Sequence, residues 1–219
     1  MRLYQFLKAA DAIDDLQRRR MKISRLSDLN DPFELLAADL RNKKVRQAFE
    51  ATRADLSQKF GVLCFSQGWH NPLMWSHYAD RHRGICLGFE VPTEKLTPIN
   101  YETRRLPEIV QKLLMGSREE QESIMLRLLT TKYRDWKYED EVRVVAALNM
   151  VDTETGYYFA DFGDDLRLKA IVLGPRFEGG VRDIVDVCGR SYSGVRVVKA
   201  RLAFRKFSVV ETRGSVVIA

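Results

Sequence analysis

The spacing of apolar positions changes period several times along the chain, and each change predicts an element. Residues 9–20 read as a short helix, with Asp11, Asp14 and Asp15 early and arginines late, the order that complements a helix dipole. Residues 25–34 break that pattern. Pro32 disfavours a helical conformation at Asp31, and Asn30 and Asp31 can bond nearby backbone, so an ordered loop is expected, with Phe33 buried as its anchor. From 41 to 59, Val45, Phe49, Thr52 and Leu56 recur at three or four residues and predict one apolar helix face. Then the period shortens: 61–66 and 85–91 are apolar runs of strand length, Gly88 marking a close backbone approach. A short helix over 73–81 is predicted between them. Residues 107–130 are helical again, with Ile109, Val110 and Leu113, then Ile124, Leu128 and Leu129, interrupted at Gly116-Ser117. Four further strands are predicted at 141–148, 156–162, 168–173 and 195–204. Strands mixed with helices without strict alternation predict an α+β fold, mostly antiparallel, with helices packed around the sheet.

Composition adds limits. A chain of 219 residues with 45% hydrophobic and 30% charged content can bury one sizeable core, and no Pro/Gly/Ser-rich linker divides it, so a single domain over 1–219 is expected. No apolar run approaches the roughly 20 residues that span a bilayer, and the first residues lack the apolar core of a signal peptide. A cytoplasmic protein with no membrane partner is the expectation. Cys64, Cys86 and Cys188 are odd in number and set in apolar, strand-like segments, which predicts reduced core thiols and no metal site. The net charge of +6, from 36 basic and 30 acidic side chains, is spread along the chain, with basic clusters at Arg18 to Arg20, Arg41 to Arg46, and Arg201, Arg205 and Lys206. Such runs are compatible with a nucleic-acid partner, but a solvated helix or strand face is the commoner explanation for them.

Two segments carry candidate chemistry. In Trp136 to Arg143, Glu139 and Glu141 are two apart at a strand start, with Arg143 next along the same row; side chains two apart on a strand share a face. The other reading is a charged strand end. In Asn71 to Gly84, a helix would bring Trp75 and Tyr78 to one side beside His77, an aromatic wall with a titratable imidazole or simply core packing.

The blocks "LYQF", "LNDPFE", "VLCFSQ", "MWSHYADRHRGICLGFE" and "WKYEDEVRVV", with "LKAIVLG" later, resemble in order the bacterial family of domain of unknown function 2971. More distantly, a strand ending in serine, a short helix, an apolar strand and a later Glu-x-Glu at a strand start are similar to the ADP-ribosyltransferase superfamily. That resemblance implies a split sheet, NAD as substrate, and a protein or nucleic-acid acceptor, in a toxin or phage-defence setting. It places the catalytic carboxylate at Glu141, with Glu139 orienting the acceptor or taking its proton. Tyr4, Ser66, Trp75, His77 and Tyr78 would line the dinucleotide pocket, supported by Asp31 and Arg143.

The chemistry is coherent on physical grounds. Breaking the nicotinamide–ribose bond builds oxocarbenium character on the sugar, which a fixed carboxylate stabilises. Glu141, Ser66 and Tyr78 are then expected to share a pocket, and Glu141→Gln to abolish turnover while keeping the fold. Two alternatives stay open: a nuclease or nucleotide hydrolase using His77, Asp31, Glu139 and Glu141, and a non-catalytic module that binds nucleic acid or nucleotide.

Overall fold

The computed structural model describes residues 1–214 and 216–218. In chain order its elements are β1 (Arg2–Leu7), α1 (Ala9–Arg18), β2 (Arg20–Arg25), α2 (Lys43–Lys59), β3 (Phe60–Ser66), α3 (Pro72–Tyr78), β4 (Ile85–Glu90), β5 (Thr97–Pro98), β6 (Asn100–Glu102), α4 (Glu108–Met115), α5 (Arg118–Leu129), β7 (Thr131–Tyr133), β8 (Glu141–Ala147), β9 (Tyr158–Asp161), β10 (Arg167–Leu173), α6 (Val181–Cys188), β11 (Arg196–Leu202), β12 (Val209–Glu211) and β13 (Val216–Val217). The fold is α+β and its strand pairing mostly antiparallel, while β10 with β11 and β6 with β7 pair in parallel. No helix of the described residues is long and apolar enough to cross a membrane.

The residues cluster into two compact units, the first Met1–Lys22, Phe65–Leu96 and Phe159–Ala219, the second Ile23–Cys64 and Thr97–Tyr158. Three of the four crossings fall inside strands β2, β3 and β9, which is why composition shows no linker.

In the first unit β4 lies between β1 and β10, antiparallel to both. Its residues Ile85 to Phe89 are all buried, so it reads as a continuous apolar run instead of an alternating one. Gly88 is opposite Tyr4, and a Cβ there would stand 3.0 Å from the Tyr4 ring and 3.1 Å from Ala170, so the expected close approach is present. α1 ends at Arg18, two residues early. Arg19 takes a left-handed φ of 53°, its N–H bonds the Asp15 carbonyl, and Arg20 already starts β2. Cys188 closes helix α6 and is not on a strand; the apolar spacing Val181, Ile184, Val185, Cys188 is helical, overriding the β-branched composition. The three cysteines are free thiols.

In the second unit the core gathers Leu26, Val62, Ile109, Ile124 and Leu128, with Phe49 and Leu56 packed against it. Each fully buried aliphatic of this kind contributes about 1.5–3 kcal/mol. Thr52 is not part of the apolar face of α2: it is exposed and its hydroxyl donates to the Ala48 carbonyl. The break at Gly116-Ser117 is a helix start. The Ser117 hydroxyl accepts the Glu120 N–H and the Glu120 carboxylate accepts the Ser117 N–H, a capping box that opens α5.

Candidate functional site

After β7 the chain makes a 3₁₀ turn over Arg134–Glu139, and Asp140, at φ 46°, reverses it into β8. Aspartate tolerates that left-handed conformation better than most residues. Glu139 therefore ends the turn and Glu141 begins the strand, so the two are not an alternating pair on one strand face. They meet all the same at Lys132, the middle residue of β7, whose Nζ donates to Glu139 Oε2 at 2.5 Å and to Glu141 Oε2 at 3.0 Å.

Arg143 follows Glu141 on the same face of β8, as period two requires. Its Nε donates to Glu141 Oε1 at 2.7 Å and its two terminal nitrogens fork onto Glu34 at 2.6 and 3.0 Å. A further bond from Nη1 reaches the Leu129 carbonyl at 3.0 Å. Glu34 Oε1 also lies 3.6 Å from Lys132 Nζ. Three carboxylates and two cations are thus locked together, each at most 6% exposed. The backbone N–H of Glu141 donates to the Tyr101 hydroxyl at 2.9 Å, and the Trp136 ring lies 5.0 Å from Lys132 Nζ.

The electrostatics follow from this geometry. Burial pushes the Glu141 carboxyl up, but Arg143 and then Lys132 outweigh it and hold it at about 2. Burial alone would lower Lys132 and Arg143; the surrounding carboxylates overcome it, and both stay protonated above their ordinary values. The Cys64 thiol, hydrogen-bonded to Glu141, is pushed well up by burial and by that carboxylate. Tyr101 rises to about 12, mainly through burial. A cluster of this kind keeps its charges fixed and costs several kcal/mol to break by removal of one partner.

The other candidates fall as follows. Asp31 is buried, and its Oδ1 accepts the Phe33 N–H at 2.9 Å, an Asx turn that orders the loop as expected. Phe33 is not buried: it is 56% exposed and the Arg105 guanidinium lies 5.6 Å from its ring, so the loop is anchored instead by Glu34 and Leu35. Tyr4, Ser66, Trp75, His77 and Tyr78 belong to the first unit. There Tyr4 and Ser66 are register partners, Ser66 Oγ bonds the Gly68 carbonyl at 3.0 Å, and Trp75 is fully buried with its Nε1 donating to the Trp69 carbonyl. Trp75 packs edge-on against Phe6 at 5.2 Å, while His77 is exposed, 6.2 Å from the Tyr78 ring. Among the described residues no group of three or more His, Cys, Asp or Glu is placed to hold a metal ion.

Sequence reading missed Glu34 and Lys132. A glutamate directly after the Asn-Asp-Pro-Phe turn and a lysine directly after Leu128 to Thr131 were the available signals. It also missed a cavity of about 280 Å³ where the parallel strands β6 and β7 end, lined by Phe33, Leu36, Arg104, Arg105, Lys132 and Tyr133 among others. A second cavity of about 550 Å³ shares Leu36 and Arg105 with it and adds Arg41, Arg46 and Arg53, with Asp39 and Glu50.

No curated protein and no solved structure matches the chain. Residues 74–144, the stretch from α3 into β8, match the model of the family described as Protein of unknown function (DUF2971), and it is to this family that the chain is similar.

Proposed function

We propose that the second unit binds a nucleotide. The observation that carries this reading is a pair of cavities that share Leu36 and Arg105: a smaller one edged by Phe33 and Tyr133, and a larger one lined by Arg41, Arg46, Arg53 and Arg105 with Asp39 and Glu50. A base fits the first, since aromatic rings and an arginine plane stack on any base, and phosphates fit the second at Arg46, Arg53 and Arg105, since guanidinium groups bind them through charge-assisted hydrogen bonds while Arg41 is already forked onto Asp39. Lys132 carries the ion cluster to the cavity wall and fixes its position there.

Titration calorimetry on the full chain with ADP, NAD and adenosine tests the reading. ADP and NAD should bind and adenosine should bind far more weakly; Arg105→Ala should weaken ADP by about tenfold or more, the loss of one charge-assisted contact. Absence of binding to every phosphate-bearing ligand would end the proposal.

A second reading, ADP-ribosyl transfer from NAD, is favoured by one specific feature. Lys132 lines the cavity and bonds both Glu139 and Glu141, and Glu141 is held fully ionised, the state an oxocarbenium-like transition state needs. Against it stands the saturation of the Glu141 oxygens by Arg143 and Lys132. Nicotinamide release from NAD, lost in Glu141→Gln under conditions where that variant stays folded, is the expected sign; no release under any acceptor leaves the binding reading alone.

A further inference from the structure

In the first unit, β11 and β12 form a hairpin whose connecting residues are Ala203 to Ser208. Phe204 is 89% exposed and Phe207 is 102% exposed, and Leu202 beside them is 55% exposed. Arg205 and Lys206 stand between the two rings, and the Arg201 guanidinium lies 4.5 Å from the Phe204 centroid. From Arg201 to Ser208 there are three cations and no carboxylate.

The tip is held in place from behind. The Ala203 N–H donates to the Ser208 carbonyl at 2.9 Å, the Val209 N–H donates to the His70 carbonyl at 2.8 Å, and His70 Nδ1 lies 2.8 Å from the Val209 carbonyl. Phe204 and Phe207 are the most exposed large apolar side chains among the described residues, and exposed apolar groups ringed by charge mark a contact site.

We propose that this hairpin tip inserts into the surface of an anionic lipid bilayer. Phe204, Phe207 and Leu202 would enter the boundary between headgroups and acyl chains, while Arg201, Arg205 and Lys206 bind lipid phosphates and carboxylates at headgroup level, as long cationic side chains do when they keep the charge in water. A projecting tip suits a soft surface that closes around it. A single-stranded nucleic acid would need stacking rings set along a groove, and Phe204 and Phe207 stand on the turn of a hairpin. The absence of a spanning helix among the described residues bears on crossing a bilayer, not on lying against one.

Cosedimentation of the full chain with phosphatidylcholine vesicles, with and without 30 mole per cent phosphatidylserine (about one lipid in three, to set a surface potential), tests the proposal. Binding should require the anionic lipid and fall as salt is raised. Phe204→Ser with Phe207→Ser should weaken it by about tenfold or more, and Arg205→Glu with Lys206→Glu should abolish it. Because these side chains are exposed, the variants should melt with the wild type. Phe207→Trp should keep binding, and its added emission should shift to the blue on anionic vesicles. No binding by the wild type, no blue shift, or equal binding by the serine variant overturns the proposal. So does a result in which the serine variant loses only a labelled oligothymidylate and keeps vesicles, which would assign the tip to nucleic acid.

Discussion

Arg143 makes five hydrogen bonds from its three nitrogens, four of them to Glu34 and Glu141. Glu141→Gln removes one charge from that set and leaves two buried cations facing two carboxylates with a changed geometry. The structure therefore replaces the expectation of an intact fold: the variant should lose about 1.5–3 kcal/mol through weakened charge-assisted hydrogen bonds, a fall of roughly 3–12 °C in melting temperature for a chain of this length. A melt within a degree of wild type would contradict the geometry. The pH dependence has two opposite parts. Glu141 is held at about 2, below its ordinary value, so the stability it contributes is complete above about 4.5 and is lost as pH falls toward 2. Asp15, buried on α1 beside Asp14 and Asp11, is pushed up to about 7, mainly by burial. Its folded form holds the proton longer than the unfolded chain does, so stability falls as pH rises from about 4 to 7. Asp15→Asn should then raise the melting temperature by several degrees at pH 8 and by almost nothing at pH 4, read by thermal melts at the two values.

Among the elements, those defined by local chemistry were legible. The break between α4 and α5 is legible at Gly116-Ser117 from glycine's poor helix propensity, and the structure adds a capping box that the sequence reading does not name. The β8 pair Glu141 and Arg143 followed from period two alone. Glu34 lies 109 residues from Arg143, and no local pattern can bring such partners together. Strands β6 and β7, three residues each and pairing in parallel, were equally invisible, since their stability comes from neighbours and not from their own pattern. That is why the cavity at their ends had no signal in the sequence. One element junction is tightly determined. Asp80, Arg81 and His82 are all left-handed, with φ of 42°, 52° and 73°, and Gly84 then enters β4 with its Cβ position 2.0 Å from the Leu7 carbonyl. Gly84→Ala should destabilise the protein by about 1–3 kcal/mol or more, whereas Gly68→Ala, with open space around it, should be nearly neutral. Urea midpoints that rank the two the other way would show the junction to be looser than described.

For the whole molecule, the two units share strands across three of the four places where the chain crosses from one to the other. Melting either unit frees an end of a strand whose remainder belongs to the other, so a single calorimetric transition is expected, with an enthalpy of about 150 kcal/mol near 60 °C. Two resolved endotherms would contradict it. The same interleaving bears on inheritance. A gene whose product returns to each of its halves by way of mid-strand crossings offers recombination no single cut that delivers one half complete. Neither unit could have been borrowed whole from another gene in one exchange, and substitutions in one would be selected in the company of the other.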